Sequence, residues 1–299
     1  MTELIGEGAG LAASLFWALS STFFALGGRI RGHQSVNAIR LIGATLMLAV
    51  SHFILLGTIL PGGSLYIWLM LGLSGMVGLA LGDGLLMWAH VTIGPRRAML
   101  IMSLVPIVTT SVAWVIFAET IEFLKLIAIG ITVAGVSYVV VEKKSGKSMF
   151  KVTWLGILLG VGGMLGQAIQ MLIAKDAIES MRGDMISLSA TYIRILWGTA
   201  AIWLVLLIRK NLGNSFRAFR DRKFMTYTLI GTSVGPFMGV WASYLAIEFA
   251  PIGIASTLMS LAPLIMIPIS FAVFKEKPTW RAIIGTLVAI SGVAIIFLA

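Results

Sequence analysis

The sequence contains no cysteine and very little charge. Without cysteine there are no disulfides, no thiolate metal ligands and no thiol nucleophile, and the redox compartment leaves no mark on the chain. Charged residues make up only 11% of 299 positions against 59% apolar ones, which excludes an ordinary soluble fold. A basic n-region is also missing: MTELIGEG carries acids but no Lys or Arg, so the N-terminus reads as the start of a first span and not as a signal peptide. The three histidines fall in no HExxH spacing, which argues against a metal site. GVGGMLG at 160–166 lacks dinucleotide-loop spacing and no Walker loop occurs, so neither a cofactor nor nucleotide hydrolysis is expected.

What is present is lipid-soluble material. Mean hydropathy is +1.00, with 33 Gly, 16 Met and 9 Trp, a composition suited to closely packed helices in a bilayer with aromatic rings at its interfaces. The net charge of +10 is scattered over short connections, which fits lipid headgroups and membrane topology, not nucleic acid. Ten apolar runs of spanning length are expected near 6–28, 34–57, 65–93, 97–118, 122–142, 153–175, 185–208, 225–247, 252–274 and 280–298. The fold class is therefore an all-α polytopic protein of a cell (inner or plasma) membrane.

The two halves echo each other. MSLVP at 102–106 returns as MSLAP at 259–263, and Gly78/Gly235, Gly82/Gly239, Ala89/Ala246, Glu119/Glu276 and Gly135/Gly292 are all 157 residues apart. IR at 39–40 meets IR at 193–194 with a small gap. A first repeat over 1–142, a polar linker at 143–152 and a second repeat over 153–299 follow, and because five spans per copy is odd, the second copy enters the membrane inverted. Inverted repeats permit one central site to be exposed to each side in turn.

These residues also carry a resemblance. GPRRAMLIMSLVPIVTTSVAWVIFAETIEFLKLIAIGITVAGV and its echo GIASTLMSLAPLIMIPISFAVFKEKPTWRAIIGTLVAISGV resemble the EamA repeat of the drug/metabolite transporter superfamily, over nearly the whole chain. The resemblance implies ten helices as five plus five inverted and a carrier of small organic metabolites such as amino acids, often exported. GLAASLFWALSS looks like the family's opening helix with Trp17, whereas the second half offers Gln167 and Gln170 in place of a Trp. Odd-numbered connections hold 17 Lys and Arg against 3 in the even ones, which places the termini outside, the reverse of the family's usual arrangement.

Candidate site residues follow from polar groups inside spans. A carboxylate at Asp83 costs about 2.5–3.5 kcal/mol in the membrane unless it faces protein, water or a cation. Asp83, Met87 and His90 share a helical face, a candidate site for a proton or a cationic substrate group; protein packing glue is the bland alternative. Trp241, Tyr244 and Glu248 share a face of span 8, and Tyr244 is the register counterpart of Met87, so a pseudo-symmetric pocket would use both, unless these rings face lipid. Arg40 and Arg194 occupy matching places in spans 2 and 7, each a candidate to clamp a substrate carboxylate or to pair with Asp83, with snorkelling to the headgroups as the bland alternative. Arg40, about two turns into its helix, reads as snorkelling, and Arg194, deeper beside Tyr192, is the better clamp. Pro106 and Pro263 are expected to kink spans 4 and 9, with Met102, Ser103, Met259 and Ser260 lining a cavity beside the bends, or to serve packing alone. Glu119 and Glu276 read as structural residues at helix ends.

The function these features support is secondary transport, export or exchange, of a small metabolite by alternating access, with protons as a candidate coupling ion, as a monomer or homodimer. A channel or a scaffold is the alternative. An intramembrane enzyme has less support, because the spans supply one deep acid and no matched catalytic pair.

Overall fold

A computed structural model describes residues 2–93, 98, 101–102, 104–116, 121–141, 153–181, 186–210, 212–274 and 280–298. Among them every regular element is helical, joined by short connections. Seven helices are long and apolar enough to cross a membrane, and the shorter apolar stretches Val105–Ile116, Phe123–Gly135 and Ile283–Ile295 lie where the other three spans are expected. The observed ends differ from the expected ones chiefly at the first and sixth spans, whose helices α1 (Thr2–Arg31) and α7 (Trp154–Glu179) run beyond 28 and 175. The linker 143–152 lies outside the described residues.

In the first half α1 is followed by α2 (His33–Leu56), α3 (Leu65–Gly75), α4 (Asp83–Thr92), α5 (Val105–Ile116) and α6 (Phe123–Val141). In the second, α7 is followed by α8 (Ile186–Ile208), the short α9 (Leu212–Ala218), α10 (Arg222–Thr232), α11 (Val240–Phe249), α12 (Ile252–Met259), α13 (Ala262–Phe274) and α14 (Trp280–Leu298). Local chemistry sets several boundaries. Gly57, at φ 70°, closes α2 by returning its N–H to Phe53 O, a left-handed turn that glycine makes without steric cost. Ser64, Thr153 and Asp221 cap α3, α7 and α10 by accepting N–H groups of Ile67, Gly156 and Phe224.

The repeat governs geometry as well as sequence. Each third span is broken in the middle by a π-helical segment, Met76–Gly82 and Ser233–Gly239, again 157 residues apart. There the N–H of Asp83 reaches back to Gly78 O and that of Val240 to Gly235 O, five residues upstream in each case. Spans 4 and 9 depart from the expected simple kink. The doubled MSLxP breaks the helix outright: α12 ends at Met259, and Pro263 is the second residue of α13, as Pro106 is of α5. Matching three-residue bonds bridge the two breaks, Leu104 N–H to Ile101 O at 3.1 Å and Leu261 N–H to Leu258 O at 3.2 Å. Proline lacks an N–H and is tolerated in a first helical turn, where no intrahelical acceptor is available anyway.

Inversion of the copies is visible where equivalent helices meet. A Cβ on Gly135 would strike the backbone of Ala289, and one on Gly292 would strike Thr132; Thr132 and Ala289 are themselves repeat counterparts. Each helix of the α6/α14 pair thus offers the same patch to the other, running antiparallel, as a two-fold axis in the membrane plane demands. The same axis passes through Thr45 and Thr199, 154 residues apart, whose hydroxyls hydrogen-bond at 2.8 Å between α2 and α8. The main apolar core gathers around this axis, with Leu41, Leu48, Leu71, Leu188 and Ile193 fully buried.

Candidate functional site

Glycines bring the central helices together. Gly78 and Gly82 of the first π-helical segment lie against Gln170 and Gly166 of α7; in the second half Gly235 and Gly239 lie against Ser20 and Phe16 of α1. Small residues at these crossings allow near backbone contact, which turns any polar side chain there inward. Trp17 and Gln167 therefore occupy equivalent places, each one residue beyond the glycine contact. Trp17 Nε1 donates to Ser243 Oγ at 3.2 Å, whereas Gln167 Nε2 donates to Asp83 Oδ1.

From Asp83 a polar chain crosses the whole interior. Arg40 donates through a guanidinium N–H to Asp83 Oδ2 at 2.6 Å, and through Nε to Asn37 Oδ1 at 2.9 Å. Gln170 Nε2 donates to Gln167 Oε1 at 2.9 Å, and Gln170 Oε1 accepts both from Arg194 and from the Tyr244 hydroxyl, the latter at 2.7 Å. Arg194 Nε donates to Ser74 Oγ at 2.9 Å, and Ser74 in turn donates to Gln170 O at 2.6 Å. The guanidinium of Arg194 lies 4.3 Å from the centre of the Tyr244 ring, and that of Arg40 lies 5.4 Å from the Phe24 ring. Both arginines are 1% exposed and Asp83 4%.

Several expectations meet this geometry differently. Arg40 does not snorkel: its position two turns into α2 faces α4 across the bundle, so it pairs with Asp83 instead of reaching the headgroups. Asp83 accordingly has both oxygens engaged, Oδ2 by Arg40 and Oδ1 by Gln167. Met87 and Tyr244 do not share a pocket. Met87 packs with Val36, Ile39 and Phe224, while Tyr244 sits in the polar chain. Trp241 is half-buried against Phe237, with ring centres 6.2 Å apart, and Glu248 accepts the Ser187 N–H at the start of α8. Tyr192, two residues from Arg194, turns away from it towards His52, at 5.7 Å between ring centres. Met102 and Met259 pack on the main core, and Ser260 donates to Thr257 O of its own helix, so neither break lines the described cavity. Ser103, Glu119 and Glu276, with the side chains of His90 and Pro263, lie outside the described residues.

The cavity lies elsewhere. About 440 Å³ opens at one end of α2, α3, α7 and α8, lined by His52, Thr58, Ile67, Met181, Ile186 and Ser189 among others. His52, which the sequence leaves as an isolated residue near a span end, is 1% exposed; its ring nitrogens face Thr58 O at 2.7 Å and Ser189 Oγ at 3.3 Å. Ser189 and Ile67 precede Arg194 and Ser74 by five and seven residues on the same helices, roughly 8–11 Å along the axis at 1.5 Å per residue.

The places related to this lining by the repeat are filled. Ser35, Leu206 and Phe224 stand where Ser189, His52 and Ile67 stand at the other end, and Phe224 packs with Val36, Ile39 and Ala218 into a closed cluster. Arg31 Nε spans it to Asp221 Oδ2 at 2.9 Å.

Known proteins agree with this architecture. The model of the EamA-like transporter family matches residues 4–141 and 154–298, one match for each half. The chain belongs to the EamA-like transporter family. This EamA-like chain is thereby a member of the drug/metabolite transporter superfamily, a multi-pass membrane protein of a transporter family. A solved crystal structure superposes at a TM-score of 0.74 over 98% of this chain and 96% of its own, at 14% identity, a likeness of fold. No curated protein matches.

Of the residues in and around the polar chain, Arg40 carries a signal in sequence as the alternative partner of Asp83, whereas Ser74, Asn37 and His52 do not stand out as site residues. Asn37 and Arg40, at i and i+3 in an otherwise apolar helix, were the available signal for the first pair. Ser74 had none, since serine is common in packed membrane helices.

Proposed function

We propose that the chain is a secondary carrier that exports or exchanges a small organic metabolite by alternating access. One observation carries this reading: places equivalent by the repeat are open at the His52 end and packed shut at the Phe224 end, with the Arg40–Asp83–Gln167–Gln170–Arg194 chain between them. Two inverted copies of one unit can exchange these states, so that the Phe224 end opens as the His52 end closes. A channel needs no such opposition of ends. Nor does an enzyme, which would need a reacting pair where this chain holds a carboxylate already bound to Arg40 and Gln167.

In this reading Asp83 works by pairing with Arg40 and releasing it as α4 and α2 move, and the charge count puts the open end on the side away from the basic connections. Because the chain has no cysteine, single cysteines report accessibility cleanly. In oriented proteoliposomes, Ser189→Cys should react with a membrane-impermeant maleimide from one side only, and Ala218→Cys should be protected from both. A saturating exchanged metabolite should reverse the pattern and support counterflow. Protection of both cysteines with free flux would remove alternating access and favour a channel.

A further inference from the structure

We propose that the transported molecule is a small monocarboxylate with an apolar body, its carboxylate taken by Arg194; this rests on the carrier reading above. In the central polar chain the charges do not balance among the described residues. Arg40 and Arg194 are both buried, and among the described residues Asp83 is the one carboxylate in ion-pair contact with either of them. Asp83 is committed to Arg40 and Gln167, so Arg194 rests on neutral partners, the Ser74 hydroxyl, the Gln170 carbonyl and the Tyr244 ring.

A buried cation with no carboxylate in contact is costly, because protein dipoles and the more distant Asp83 replace its hydration only in part. A single negative charge delivered by a ligand removes that cost, and the planar guanidinium offers a carboxylate two parallel N–H donors. Gln170 Oε1, the amide carbonyl now on Arg194, occupies the place a carboxylate oxygen would take. The entrance on the same side suits the rest of the molecule: the cavity at the His52 end, roughly 8–11 Å along α3 and α8 from Ser74 and Arg194, brings Leu56, Ile67, Met181 and Ile186 to its wall beside the polar atoms of His52, Thr58 and Ser189. One charge is wanted and the remainder must be largely apolar, which disfavours phosphate esters and dications.

The test uses matched triplets of one carbon skeleton, phenylacetate, phenylacetamide and phenethylamine, then 3-methylbutanoate with its amide and amine. Thermal unfolding of the purified full chain should be shifted upward, saturably, by the carboxylates alone. Arg194→Gln should weaken this binding about 100-fold and Arg194→Lys about 10-fold, since lysine keeps the charge and loses the fork. If Arg194→Gln fails to fold, Gln170→Glu answers the same question. It gives Arg194 an internal carboxylate in the same volume, and should abolish stabilisation by carboxylates while leaving the unliganded protein at least as stable. Carboxylate binding that survives Gln170→Glu overturns the proposal, as does stabilisation by the amides or amines alone, or by no carboxylate. Counterflow of an amine or amide that persists in Arg194→Lys overturns the anion and leaves the carrier standing. Arg194-dependent carboxylate binding without any counterflow keeps the anion and removes the carrier.

Discussion

The two ends of the α2/α8 pair descend from the same sequence pattern and are finished in opposite ways. At one end the connection between α2 and α3 spans only 57–64 and carries no helix among the described residues, and His52, Ser189 and Ile67 leave a cavity. At the other, the basic connection after α8 folds α9 inward, and Phe224, at the place of Ile67, completes a plug. The difference teaches that two copies of one pattern supply two equivalent ends, while a few larger side chains and one folded connection decide which is filled. The centre is asymmetric in another respect: Asp83 has Val240 as its counterpart and Gln167 has Trp17, so the buried ion pair lies beside the first half's π-helical segment and has no equivalent beside the second.

The sharpest test of that second asymmetry replaces the same position in each half. Asp83→Ala leaves Arg40 buried without its partner and should cost about 3–5 kcal/mol, against about 1–2.5 kcal/mol for Val240→Ala, in thermal unfolding of purified protein. Equal losses would mean that the carboxylate pairs to no energetic effect. The milder Asp83→Asn should still insert but lose counterflow.

Opening the plug comes next. Phe224→Ala should cost about 3 kcal/mol by removing a fully buried ring and should expose Ala218→Cys to maleimide from the α9 side, making both ends alike. Continued protection at 218 would assign closure to α9 alone. Gly75→Ala probes the crossing beside Arg194. A Cβ there would run into the Arg194 carbonyl oxygen, so α3 and α8 must separate, at about 1–3 kcal/mol, whereas its repeat counterpart Thr232 already carries a side chain and Gly8→Ala, in open space, should be neutral.

The smallest effect belongs to the latch. The Phe224 backbone N–H, and then Arg31, hold the Asp221 carboxyl below its ordinary value of 3.8. A group with a depressed folded value contributes in full above its unfolded value, and its contribution fades as pH falls through the folded one. Protection of Ala218→Cys should therefore be flat from about pH 5 to 8 and weaken only under stronger acid, a response that Asp221→Asn should remove.

Much of the fold was legible because hydropathy and period act locally: runs of spanning length, a constant 157-residue register and an odd number of spans per copy leave few arrangements. The equivalence of α1 and α7 was not legible. Their contacts with the two π-helical segments run in a register of 150 residues, α2 and α8 run at 154, and only later elements reach 157. Insertions between the helices dissolve an alignment that glycine crossings restore in space. Asp83 and Arg194 stood out as charges in apolar runs, yet no spacing linked Asp83 to Arg40 across 43 residues or Arg194 to Ser74 across 120.

By itself the sequence determined that this chain lives in lipid, is helical, is doubled and is inverted, since each follows from composition, length or parity. Which arginine holds the carboxylate, which is left to neutral partners, and which end of the path is open were decided only by tertiary structure. Pairing and closure depend on distances between side chains on different helices, and those distances are set where small residues let the backbones meet.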